Sequence, residues 1–276
     1  MKMVRLRLKL LRLSTFIIAF ILVQQAFGQQ LTKTAEYTLT DKPVAASIDR
    51  TGNIYFGYGN GDVTKYNQKG ELLYTFSPPK RFNITLLESW LGLKTFVYSA
   101  PYQEYYFLDR FMNSSERYSV SATSGLDFSG LATIENDRTL WSFNTTTQTL
   151  SKQDLIINEV IFENRLNLIL NVDELNPTFI RAYQNLIFIA DPNYGIAVFD
   201  NLGSYLETIP AKGVAFFSFY KDQLIYHTDG KLTLKHIYNQ QKKEVKTDLS
   251  FGFVLMENNQ LFGVTANKLQ IFSITY

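Results

Sequence analysis

The sequence contains no cysteine. That excludes a disulfide framework, a thiolate nucleophile and any Cys-ligated zinc or iron–sulfur site. Only two histidines are present, which leaves little material for a histidine-rich metal centre. Basic runs are missing beyond residue 12. The chain has 27 Lys and Arg against 25 Asp and Glu, but Lys2, Arg5, Arg7, Lys9 and Arg12 lie at one end, and the rest carries a net charge of −3. A mildly acidic body offers no electrostatic footprint for a phosphate backbone, so nucleic acid is not an expected partner. The one strongly apolar run, 13–23, falls short of the roughly 20 residues that a spanning helix needs.

Residues 1–28 combine a basic segment, a short apolar core (STFIIAFILV) and small residues at Ala26 and Gly28. This is the pattern of a secretory signal peptide. An N-terminal membrane anchor is the competing reading; a lipid anchor is excluded because no cysteine follows the apolar core. The expectation is a periplasmic or secreted protein whose mature part, 29–276, is a single domain with no stable membrane insertion after cleavage.

Aromatic residues make up 15% of the chain, with 17 Tyr and 22 Phe. Such side chains favour half-buried pleated surfaces. Residues 53–76, NIYFGYGNGDVTKYNQKGELLYTF, alternate three strand-like runs with GNG and QKG turns. The same order of strand, turn, strand, turn, strand recurs. Copies begin near Asn53, Lys94, Arg138, Asn185, Gln223 and Gln260. A period near 40 in short strands is the signature of a propeller blade. One further apolar or small-residue run precedes each copy, at 43–49, 84–90, 130–136, 177–183, 214–220 and 251–257. These runs suit innermost strands covered on both faces. The predicted fold is all-β, a six-bladed β-propeller of four-stranded antiparallel blades. The sixth unit lacks an outer strand, and AEYTLT (35–40) is unpaired ahead of the first unit. The N-terminal strand is therefore expected to complete the last blade and close the ring, removing an exposed edge. A β-sandwich and an outer-membrane barrel are the alternatives. The period in four-strand units argues against the first, and the short strands with tight turns at both ends argue against the second.

The first unit, through Asp49, Gly52, Asn53, Ile54, Tyr55, Gly70 and Phe76, resembles an NHL-type propeller repeat. The fourth unit fits the same pattern through Asn185, Leu186, Ile187, Phe188, Asp191, Val198, Phe199, Asp200, Gly203 and Ile209. The second and third units lack the glycine turn between their last two strands. The resemblance implies architecture. NHL-like propellers include protein-binding scaffolds, RNA-binding modules and some enzymes, and fold does not settle function.

In a propeller, one face collects the second-to-third-strand loops and the segments leading into each blade. Here those loops bring Tyr58, Asn60, Tyr102, Asp191, Asn193, Tyr194, His227 and Asp229 to one side as candidate ligand-binding residues. Tyrosine and asparagine give rigid contact area with adaptable hydrogen bonds. Asn, Asp and Gly are also turn formers in their own right; no turn geometry requires Tyr. The segment 163–177, ENRLNLILNVDELNP, reads either as a functional long loop or as an extended outer strand followed by a short turn. No catalytic, metal-ligating or cofactor-binding residue is assigned. The expected function is that of a monomeric, non-catalytic module binding an envelope or extracellular protein or a glycan. The alternative is a lactonase-like hydrolase or lyase with an axial metal ion, for which the inner strands offer Glu88, Glu135 and Glu257, all near strand ends.

Overall fold

The computed structural model describes residues 30–89, 92–120 and 128–275; the segment read as a signal peptide lies outside them. The described chain forms six four-stranded sheets in which neighbouring strands run antiparallel. This is the expected six-bladed β-propeller. Blade 1 consists of Ala45–Ile48, Ile54–Gly57, Val63–Tyr66 and Leu72–Phe76. Blade 2 is Leu86–Glu88, Lys94–Ser99, Glu104–Asp109 and Tyr118–Ser119. Blade 3 is Ser129–Asn136, Thr139–Asn144, Thr149–Asp154 and Glu159–Arg165. Blade 4 is Phe179–Tyr183, Leu186–Asp191, Gly195–Asp200 and Tyr205–Ile209. Blade 5 is Phe217–Tyr220, Gln223–Thr228, Lys231–His236 and Lys242–Lys246. Blade 6 takes its inner three strands from Phe253–Glu257, Gln260–Thr265 and Lys268–Thr275, and its outer strand is Gln30–Thr38.

The closing strand is longer than expected and starts earlier. Its register runs from Gln30 opposite Thr275 to Thr38 opposite Lys268, with an irregularity between Lys33 and Ala35. The Thr34 hydroxyl there donates to the Ile271 carbonyl. Across the seam, Glu36 accepts from Lys33, Lys268 and Gln270.

Burial follows strand position. The second and third strands of blade 1 are buried along their whole length, whereas its outer strand exposes Leu72, Leu73 and Tyr74. Each blade buries both faces against its neighbours, so the core lies between the sheets. Aromatic contacts bridge blades 4, 5 and 6: Phe179 to Phe216 at 4.7 Å, Phe216 to Phe253 at 4.9 Å, and Tyr183 stacked on Phe219 at 4.1 Å.

The repeat residues fold the chain through Asx turns. The Asp49 carboxylate accepts from the amides of Thr51 and Asn53, the Thr51 hydroxyl, the Asn53 amide group and the Tyr55 hydroxyl. That accounts for the Asp-x-x-Gly-Asn-x-Tyr spacing. Asn67 and Asp200 repeat the device between third and fourth strands, each followed by a glycine in the left-handed region, Gly70 and Gly203. Blades 2 and 3 keep the Asx acceptor, Asp109 and Asp154, but place Met112 (φ 68°) and Asn158 (φ 59°) in the left-handed region instead.

Candidate functional site

Strand alternation puts the second-to-third-strand turns and the segments leading into each blade on one face. The first-to-second-strand turns lie on the other. The eight loop residues singled out from the sequence divide into buried, turn-forming and exposed groups.

Tyr58 does not reach the surface. It is 3% exposed, sits in the core cluster and hydrogen-bonds Thr64 at 3.1 Å. Asn60 is a turn former: its side chain bonds both the amide and the carboxylate of Asp62. Asp191 is buried, and its two oxygens accept from the amides of Asn193 at 2.8 Å and Asn176 at 2.7 Å. It pins its own turn and the segment leading into blade 4. Asn193 is exposed. Asp229 is exposed, in a left-handed turn at φ 51°. His227 is half-buried, with its ring edge-on to Phe251 at 5.3 Å. Burial holds its pKa below the ordinary histidine value, partly offset by a hydrogen bond to the Leu249 backbone. Tyr102 is 47% exposed and lies nearly parallel to the buried Phe82 ring, 5.7 Å away. Tyr194 is 40% exposed.

Tyr194 and Asp191 line a cleft of about 180 Å³ between blade 4 and the segment that joins blade 3 to it. Its other wall is the segment noted at 163–177. The outer strand of blade 3 runs to Arg165, and a one-turn helix, Leu166–Ile169, follows. The strand reading thus holds to residue 165, and the remainder forms a shaped wall. Gln148 fixes that wall. Its carbonyl accepts from the Leu166 amide, and its side-chain amide both accepts from the Leu175 amide and donates to the Leu175 carbonyl. Leu166, Ile169, Leu170, Val172 and Leu175 face Ile189, Ala197 and Tyr205 across the gap. Tyr205, like Tyr194, is 40% exposed, so both rings stand at the mouth of the cleft. A short apolar run such as LNLIL fits helix or strand equally, which is why its part in a cleft wall was not readable beforehand.

The axis carries charge that the sequence reading missed. Arg181, in the inner strand of blade 4, meets Glu88 of blade 2 at 3.5 Å, both side chains buried, and donates to the Leu87 carbonyl at 3.4 Å. Desolvation lowers the Arg181 pKa, and Glu88 counters that effect. The donor set does not fit an axial metal cage. Glu88 faces Arg181, and Glu135 is held by Lys152 at 3.1 Å and by the Trp141 indole at 3.0 Å. Among the described residues, no three His, Asp or Glu gather in metal-binding range.

No family model matches this chain, and no curated protein matches it. The NHL-type resemblance thus rests on the repeat residues alone, whose turn chemistry the structure accounts for. Among the described residues, no helix is long and apolar enough to cross a membrane.

Proposed function

We propose that this chain is an exported, non-catalytic binding propeller. It recognises a protein of the envelope or the extracellular space by admitting one bulky apolar side chain to the cleft between blade 4 and the segment leading into it. The cleft itself carries the reading. An apolar cavity of about 150 Å³ accommodates benzene, so a space of about 180 Å³ is matched to one aromatic or branched aliphatic side chain. Burying such a side chain contributes about 1.5–3 kcal/mol. Tyr194 and Tyr205 at the rim supply rigid area with a polar tip, as anchor sites in interfaces do. A glycan would call for a wall of free hydrogen-bonding groups, whereas this lining is mainly apolar, Asp191 is taken up by two backbone amides, and the Tyr205 and Thr208 hydroxyls bond each other. The pattern of residues 1–28 supports export and so sets the compartment of the partner.

Selection of a random-peptide display library on the immobilised mature chain tests this. Enriched peptides are expected to share one bulky apolar residue. Their affinity should fall by about 1–2 kcal/mol, roughly five- to thirtyfold, in Tyr194→Ala or Tyr205→Ala. Both positions are surface-exposed, so the melting temperature should hold. Binders indifferent to both substitutions would overturn the assignment.

A further inference from the structure

The opposite face has a basin of its own. Four inner strands end around the axis there, and their last residues or the next ones form its wall: Ile48 and Asp49, Tyr183, Tyr220 and Lys221, and Glu257. The basin has a volume of about 370 Å³, at the small end of the range for ligand sites. Part of its wall is aromatic. Tyr183 and Phe219 stack with rings 4.1 Å apart and nearly parallel, and Lys221 lies over the Tyr220 ring at 4.9 Å.

Four charged side chains line it, and they are not equivalent. Asp49 is consumed by its turn. Arg50 has a contact of its own. The Glu257 backbone pairs with Gln260 in its ladder, but its carboxylate makes no hydrogen bond or ion pair with any described residue. Burial and the nearby Asp49 raise its pKa, while Lys221 acts in the other direction. Lys221 and Glu257 sense each other without forming a direct ion pair. Lys221 is also held at φ 53°, a conformation that Asn258 supplies on the neighbouring blade at φ 48°. A partly buried carboxylate and an ammonium, kept apart over an aromatic surface, complement a ligand that carries both opposite charges.

We infer that this basin binds a small zwitterion, an ammonium and a carboxylate on one short skeleton with an apolar flank, the chemistry of a free α-amino acid. Glu257 takes the ammonium, Lys221 takes the carboxylate, and the flank lies against Tyr183, Phe219 and Tyr220. The site lies on the opposite face from the cleft and is independent of the protein-binding role proposed there.

Calorimetric titration of the mature chain with L-leucine, N-acetyl-L-leucine and L-leucine methyl ester tests it. L-Leucine is expected to bind in the millimolar range or tighter, with each singly charged derivative about tenfold weaker. Glu257→Gln should weaken L-leucine and the methyl ester while sparing the N-acetyl form. Lys221→Asn, which the left-handed backbone accepts, should weaken L-leucine and the N-acetyl form while sparing the ester. L-Phenylalanine, as a second probe, should follow the same crossed pattern. No binding by either amino acid, binding of a singly charged derivative equal to that of L-leucine, or titrations unchanged in both variants would overturn the assignment.

Discussion

At the scale of single residues, the most consequential pair is Arg181 and Glu88, buried together at the axis. Neither charge tolerates loss of the other, because a lone ion in that position keeps its desolvation cost without compensation. Arg181→Leu or Glu88→Leu alone should cost about 3–5 kcal/mol in urea unfolding. The double replacement should cost clearly less than either single change, since it removes both desolvation terms at once. A double change as costly as the sum of the singles would show that the two side chains act independently. Gly195 sets a different kind of constraint. Its φ is 108°, and a Cβ there would lie 2.3 Å from the Ile209 carbonyl oxygen. The backbone of the outer strand cannot give way as a side chain could. Gly195→Ala should therefore lower the melting temperature by an amount corresponding to at least about 1–3 kcal/mol, the range for strained backbone. At the equivalent turn positions of blades 2 and 3 the residue is Gln, at 103 and 148, again in the left-handed region. There the side-chain amides clamp Ser129 and Leu175 of the following segments.

At the scale of elements, the seam between Gln30–Thr38 and Lys268–Thr275 is electrostatically marked. Glu36, bonded to Lys33, Gln270 and Lys268, has its pKa lowered from 4.5 to about 2. A depressed carboxylate contributes stability that is present above the unfolded pKa and is lost as pH falls through the folded one. The seam should thus weaken between about pH 4.5 and pH 2. Melting curves across that window should fall more steeply for the natural chain than for Glu36→Gln; parallel slopes would refute the linkage. The seam strand was legible because AEYTLT resembles the outer strands of other units and had no partner nearby. Its N-terminal extension, QLTKT, was not, because polar residues on an exposed outer strand carry no alternation to read. The blades were legible where Asn, Asp and Gly mark the turns, and faint in blades 2 and 3. There Met112 and Asn158 take the left-handed conformation, and Met112 is a core residue as well. Strand counting assigned the loop residues to the second-to-third-strand turns. Their roles were not legible, because Tyr58 packing inward and Asp191 bonding to Asn176 depend on neighbouring segments. Arg181 stood in an apolar run, and nothing local identifies a partner from two blades away.

At the scale of the whole molecule, the ring holds because its ends meet. No disulfide is available to join them, so the eight residue pairs of the outermost ladder in blade 6 do so. Leu31 and Ala35 pack against the main core, and Leu39, just past the strand, is fully within it. A chain beginning at residue 40 would lose that ladder and leave Lys268–Thr275 as an unpaired edge. Within that strand Leu269, Ile271 and Phe272 are buried in the closed ring. An exposed, apolar edge strand is a template for pairing with another chain. The truncated protein should accordingly melt earlier and self-associate in size-exclusion chromatography. Closure is a strand-pairing event, so it should also be recoverable without covalent linkage. A peptide of residues 29–41 added in trans is expected to restore the monomer peak and to raise the melting temperature in a concentration-dependent way. The same peptide with Tyr37 and Leu39 changed to Asp should do neither, because Tyr37 covers Gly70 of blade 1 and Leu39 enters the core. A truncated chain that stays monomeric, or rescue by both peptides alike, would mean that the propeller is held shut by its blade-to-blade packing and that the seam merely caps it.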